Sequence, residues 1–239
     1  MLRISFENNS AFASNQKTLL SVDFTSNCPK RRSGNPCSYC YVEYNRNIKF
    51  NPKTVYDYRA YNGELKNTKK FNDRNIKKLN DMGGIRLFSF GDYMPEHDND
   101  ITNFLNDAYE IGLYVKAITK VPEFIYKYHD YPALKVINIS TDLVGHGVDH
   151  NLARELKSKY PKVLIRVAIM KDEELENDFI NECDVITFNH KHLKKLGYRK
   201  FKKDEIEKYQ AEHKNVGVCC ITGKCESCDV KCGYSKLAS

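Results

Sequence analysis

The sequence predicts an α/β fold built on a parallel sheet, and three observations carry that prediction. Six short runs rich in Val, Ile, Leu, Phe or Thr punctuate the chain, at 18–25, 85–90, 113–119, 135–141, 163–169 and 184–189. Several are nearly continuous in apolar character, as strands buried on both faces of a parallel sheet are. From residue 85 onward the runs start roughly 21–28 residues apart, the repeat of a βα unit with a right-handed crossover. Six units are too few for a closed eight-stranded barrel. The expected architecture is therefore a partial (β/α)6 TIM-like barrel with a C-terminal cysteine-rich metal-binding tail, and a doubly wound sheet is the alternative.

Each element has a local reason. The first run leads into Thr25-Ser26-Asn27-Cys28, and the long connection from Tyr41 to Gly84 carries helical patterns near 52–61 and 72–82. The helix expected over 100–112 opens on Asp100, a suitable N-cap. It places Ile101, Phe104, Leu105 and Ala108 at helical spacing and stops at Gly112. The helix over 122–128 begins with Pro122, suited to a first turn. The one over 149–160 carries Leu152, Ala153 and Leu156 and is followed by Pro161. The one over 172–181 has its acids early, as the helix dipole favours. After Asn189 the pattern turns basic and helical, which divides the chain into a barrel over 1–190 and a basic segment with the tail over 191–239.

The chain has 239 residues and is 41% hydrophobic, enough for one large α/β domain or two small ones. No run approaches the ~18 apolar residues of a spanning helix, and Met1-Leu-Arg-Ile-Ser leads into polar residues rather than a signal core. A soluble, cytoplasmic protein without a membrane partner is expected. Eight of the nine cysteines cluster at two places, which favours metal over a disulfide framework. Cys183 stands alone and reads as a packing residue. The net charge of +7 is concentrated locally, in Lys191, Lys194, Lys195, Arg199, Lys200, Lys202 and Lys203 and in a second set over 66–78. Such runs either contact phosphates or form solvated helix faces.

Sites in parallel α/β architectures lie at the carboxyl ends of the strands. Cys28, Cys37 and Cys40 begin there, directly after the first run. Soft thiolates select zinc or iron–sulfur clusters. A structural zinc needs four ligands, and the nearest fourth candidates are poor, which favours a cluster on three cysteines with one iron left open. The second run ends in Gly91-Asp92-Tyr93, a turn that either faces a ligand or is an ordinary bend. Further strand ends carry Lys116 and Lys120, then Asn138, Ser140, Thr141 and Asp142, then Arg166 and Met170, then Asn189 and His190. Alternation puts Asn138 and Ser140 on one face and Ile137 and Ile139 on the other. His146 and His150 are candidates for acid–base work or simply solvated loop residues. In the tail, Cys220, Cys225, Cys228 and Cys232 supply four thiolates, with Cys219 adjacent. They suit a zinc ion or a second [4Fe–4S] cluster equally well, and either would tie down the terminus.

The loop of three cysteines, with Tyr39 before the last, resembles the cluster loop of the radical S-adenosylmethionine (SAM) superfamily in a longer-gap form, eight residues then two. The resemblance implies a [4Fe–4S] cluster on Cys28, Cys37 and Cys40, with SAM on the open iron and one-electron reduction releasing a 5′-deoxyadenosyl radical. It implies that Gly91 and Asp92 hold the SAM amino group. It also implies that Tyr39, Asn138, Ser140 and Arg166 belong to the cofactor site and that a flavodoxin or ferredoxin is the reductant. The cysteine loop, the Gly-Asp turn and the cysteine-rich tail together are similar to the phage gene-product-88 group of radical-SAM-like proteins, which names no substrate. A basic surface suggests a nucleotide or nucleic acid, and extra clusters in the superfamily often accompany peptide modification. The reading from another class is a zinc-stabilised nucleic-acid-binding module using 191–203, with Tyr198 and Phe201 as stacking groups.

Overall fold

The computed structural model describes residues 3–4, 21–24, 28–40, 65, 71–88, 91–188, 196–213, 217–219, 233 and 237. Among these, eight strands form one sheet in sequential order. They are β1 (Arg3–Ile4), β2 (Ser21–Asp23), β3 (Ile85–Leu87), β4 (Val115–Thr119), β5 (Leu134–Asp142), β6 (Val163–Ile169), β7 (Val185–Phe188) and β8 (Gly217–Cys219). β1 pairs antiparallel with β2, and every later neighbour is parallel. The order contains no reversal, the feature by which a doubly wound sheet sends helices to both faces.

β2 to β7 are the six expected strands. β1 and β8 are additions. β1 is a two-residue bridge defined by its pairing with β2, and β8 falls within the short apolar stretch 216–221, outside the six expected runs. β8 lies in the stretch read as basic and helical, and it joins the same sheet through Val185 opposite Gly217.

The helices are α1 (Pro29–Arg32), α2 (Asp73–Asp81), α3 (Asp98–Glu110), α4 (Pro122–Tyr128), α5 (His150–Lys159) and α6 (Lys203–Glu212). α4 has the expected bounds, and α5 starts after the N-cap Asp149, whose carboxylate accepts from Asn151 and Leu152 N–H at 2.9 and 3.1 Å. Two expectations shift. Asp100 is not a cap: a 3-10 turn at Pro95–His97 runs into α3, which begins at Asp98 and leaves Asp100 in its first turn. Pro95, with its fixed φ, starts the helical path early. The helix expected over 172–181 is two 3-10 turns, Asp172–Glu176 and Asp178–Glu182. Asn177 divides them by accepting from Phe179 N–H at 3.0 Å, the local competition for backbone that asparagine favours. The helix expected over 52–61 lies outside the described residues. No described helix is long and apolar enough to cross a membrane.

The two faces of the sheet differ. Leu87, Ala117, Ile137, Ile139, Ile165 and Val167 share one core with Phe104, Phe124, Ile125 and Leu156 from the helices. The register places Arg86 beside Lys116, Ile118 beside Asn138, and Ser140 beside Arg166, with Ala168 beside Thr187. These alternate with the core residues, so the opposite face carries the polar Arg86, Lys116, Asn138, Ser140, Arg166 and Thr187 interspersed with the apolar Ile118, Val136, Leu164 and Ala168. Lys116 and Asn138 on that face are fully buried. The central strands are thus buried on both sides, one face largely apolar and the other of mixed polar and apolar side chains.

Candidate functional site at the carboxyl ends of the strands

The cysteine loop is built from short-range interactions. Cys28 is the N-cap of α1, its sulfur accepting from Arg31 N–H at 3.4 Å, and Pro29 fills the first turn. The chain then bends back, and Cys40 N–H donates to Cys37 O at 2.9 Å. All three thiols are half-buried. Burial pushes the Cys28 thiol up against the hydrogen bond from Arg31 N–H, and Asp92, Cys40 and Cys37 push it further, so each of the three lies within electrostatic reach of Cys28.

Asp92 follows β3 in the Gly91-Asp92-Tyr93 turn and is half-buried, with its carboxylate turned to the end of β4. It accepts from its neighbour Tyr93 N–H at 2.7 Å, from Lys120 N–H at 2.9 Å and from the Thr119 hydroxyl. It therefore ties the end of β3 to the end of β4. Burial pushes its carboxyl up, against those hydrogen bonds. One strand earlier, the buried Asp23 accepts from Gly91 N–H at 3.1 Å and joins β2 to the same turn. Asp23 is not singled out by the sequence; its signal is an acid near the end of an apolar run.

Lys120, just past β4, joins the loop to the next strand. Its ammonium donates to Cys37 Sγ at 3.4 Å, to the Tyr39 hydroxyl and to His146 O at 3.5 Å. It also pairs with Asp142 at 3.5 Å and lies over the Tyr39 ring. Tyr39 in turn donates to Asp142. Burial pushes the Tyr39 hydroxyl strongly upward, and the Asp142 carboxylate adds to it. Burial would raise Asp142 as well, but the bonds from Tyr39, Lys120 and the His146 and Val144 N–H groups hold it below the usual carboxylate range. Gly147 lets the loop after β5 pass close by, since a Cβ there would stand 2.4 Å from Thr141 Cα.

A cavity of about 440 Å³ opens beside these groups, lined by Cys28, Cys37, Asp92, Lys120 and Lys30 together with Tyr93 and the Val121-Pro122 turn. The expected site residues thus divide. Cys28, Cys37 and Asp92 share the cavity, and Cys40, Tyr39 and Gly91 belong to its two loops. Asn138, Ser140 and Arg166 stand on the polar face of the sheet and do not line it. Asn138 donates to Ala117 O at 3.4 Å.

Cys220, Cys225, Cys228 and Cys232 lie outside the described residues, as do Asn189 and His190. Gly233, next to Cys232, is described. It is buried at φ +90°, and a Cβ on it would stand 2.6 Å from Leu164 Cδ1 and 3.4 Å from Asn138 Oδ1. The chain immediately after the last tail cysteine therefore lies on the polar face of the sheet.

Other candidates take structural places. His150 stacks on Phe179 with ring centroids 3.7 Å apart, and its Nε2 is 3.1 Å from Asp142 O. The His146 ring meets the Tyr39 edge at 5.9 Å, and burial holds it below the usual histidine range. Cys183 is buried in the core, its S–H donating to Phe179 O at 3.3 Å, and burial pushes the thiol up to about 12. Tyr198 and Phe201 are buried rather than presented as stacking platforms. Tyr198 instead reaches the cysteine loop, its hydroxyl 2.7 Å from Ser38 Oγ. Arg199 pairs with Asp172 at 2.6 Å and Glu205 at 3.0 Å and lies over the Phe201 ring.

Among the described residues no three His, Cys, Asp or Glu side chains converge on a single metal ion. The donor set on the first loop suits a larger group. Cys37 and Cys40 both lie within electrostatic reach of Cys28, Cys28 and Cys37 face one cavity, and a multi-iron cluster spaces its thiolates wider than one ion does.

No family model and no curated protein matches the chain. Among solved structures it is similar to an FMN-binding β-glucuronidase from Facaelibacterium prausnitzii L2-6, at 18% identity and a TM-score of 0.37. That likeness covers 61% of this chain and 26% of the other, about a quarter of its length, and at this TM-score carries no argument.

Proposed function

We propose that this chain is a radical SAM enzyme on a partial (β/α) barrel. One observation carries the reading: thiols from the loop after β2 share a cavity with Asp92 of the Gly-Asp turn after β3. That is where the sequential parallel order puts a site, at adjacent carboxyl ends. Cys28, Cys37 and Cys40 would hold the [4Fe–4S] cluster. When bound, the cluster with SAM supplies reductive cleavage of the sulfonium and a 5′-deoxyadenosyl radical. The chain's own contribution is orientation and exclusion of water.

Asp92, on the cavity wall, would face the SAM amino group, with Gly91 allowing the turn. Asn138, Ser140 and Arg166 would face the remainder of the cofactor or the substrate from the polar face. The tail cysteines would bind zinc or a second cluster, and Gly233 against Leu164 supports a tail folded onto the sheet. The reductant class is a flavodoxin or ferredoxin, the compartment the cytoplasm, and the substrate a nucleotide, nucleic acid or peptide. The nucleic-acid-binding alternative has less support, because Tyr198 and Phe201 are buried and Arg199 is held in ion pairs.

The test is iron, sulfide and zinc per chain after anaerobic purification, followed by SAM cleavage. About four irons per cluster are expected, with 5′-deoxyadenosine formed under reduction. Cys40→Ala removes the first cluster and that product. Zinc without iron after reconstitution, or 5′-deoxyadenosine formation retained by Cys40→Ala, overturns the reading.

A further inference from the structure

We infer that Lys120 sets the reduction potential of the first-loop cluster, acting as a cation held against the Cys37 sulfur; this rests on the reading above. Three features of the geometry carry it. The Lys120 ammonium is 3.4 Å from Cys37 Sγ, within hydrogen-bonding reach of a thiolate. It is fixed there from several sides at once, by the Tyr39 hydroxyl and ring, by His146 O at 3.5 Å and by the Asp142 carboxylate at 3.5 Å. The site is also shielded: the Lys120 side chain is 19% exposed and that of Asp142 0%. Water and salt therefore screen these charges weakly.

Hydrogen bonds to ligating sulfurs and nearby charge are established determinants of iron–sulfur potentials. One-electron reduction adds a negative charge to the cluster. A cation on a ligand sulfur stabilises the reduced form more than the oxidised one and raises the potential. Asp142, 3.5 Å from the same ammonium, opposes this. Removing Lys120 thus both deletes the favourable charge and leaves Asp142 uncompensated, and the two effects share a sign. A purely structural lysine would instead change how much cluster binds, with no shift in the potential of the bound fraction.

The experiment is a redox titration of the reconstituted chain with dithionite, followed by electron paramagnetic resonance. Lys120→Met is expected to make reduction at least tenfold less favourable, about 59 mV lower for one electron. Lys120→Arg restores most of the shift. An unchanged potential in cluster-loaded Lys120→Met overturns the inference and leaves the enzyme reading standing, whereas a native chain that binds no iron overturns that reading. Where Lys120→Met fails to load, the Lys30→Arg chain labelled with 15N-lysine decides, since Lys30 is the other lysine lining the cavity. A lysine nitrogen coupled to the reduced cluster in pulsed spectra supports the contact, and no coupling overturns it.

Discussion

Asp98 shows how one carboxylate can position a site it does not touch. Its Oδ1 accepts from the hydroxyls of Tyr93 at 2.9 Å and Tyr128 at 2.7 Å, and its other oxygen pairs with Lys127. It joins the start of α3 to α4 and to Tyr93, whose ring lines the cavity. Burial pushes the Asp98 carboxyl up, but the bonds from Lys127, Tyr128 and Tyr93 prevail and hold it below the usual range. A depressed folded-state value means that the stability it confers is complete above the unfolded value of about 3.9 and is lost as pH falls through the folded one. Asp98→Asn is therefore less stable than the native chain at neutral pH, and the two curves converge as pH falls through the lowered folded-state value. Urea unfolding at a series of pH values measures this, and a constant difference down to pH 2 would contradict it.

The legible residues were those whose chemistry is local. Cys28, Cys37, Cys40 and Asp92 stand beside strand ends in sequence and in space. Lys120 and Asp142 were visible as strand-end residues, but their meeting with Tyr39 was not, because 81 residues separate Lys120 from Tyr39 and 103 separate Tyr39 from Asp142.

At the scale of elements, caps and prolines decided the boundaries. α4 begins at Pro122 and α5 after Asp149, both read from the sequence. Asp149→Ala leaves Asn151 and Leu152 N–H groups without their side-chain acceptor and is expected to cost about 1 kcal/mol, the usual size of a lost N-cap. Asp149→Ser should recover most of it. Thermal or urea unfolding reads both, and an unchanged midpoint for Asp149→Ala would show the cap to be idle. The 3-10 turns over 172–182 and the early start of α3 were not legible. In both, a single residue, Asn177 or Pro95, redirects a helical pattern through its own backbone chemistry.

At the scale of the molecule, the return of the chain at Gly233 to the polar face is the least local feature. Gly233→Ala meets Leu164 Cδ1 at 2.6 Å and must also hold a φ of +90°. A cost of about 1–3 kcal/mol is expected for a non-glycine residue in that conformation. In a Leu164→Ala background the collision disappears and only the backbone strain remains, so the added cost of Gly233→Ala should fall. A double-mutant cycle by urea unfolding measures the coupling, and strict additivity would mean the two residues do not touch.

The sequence by itself determined the six central strands, their parallel sense and the strand end from which the first cysteine loop leaves, whereas their sequential order was settled against the doubly wound alternative only by the fold. Apolar runs, glycine and proline punctuation and βα spacing are properties of neighbouring residues, and right-handed crossovers leave few ways to arrange them. Only the tertiary structure decided that Arg86 stands beside Lys116 and Ser140 beside Arg166, and that β8 extends the sheet beyond β7. It alone brought Lys120 to the Cys37 sulfur. Register and long-range ion pairs arise from packing whole elements together, and their energies depend on a shielded environment that does not exist until the chain has folded.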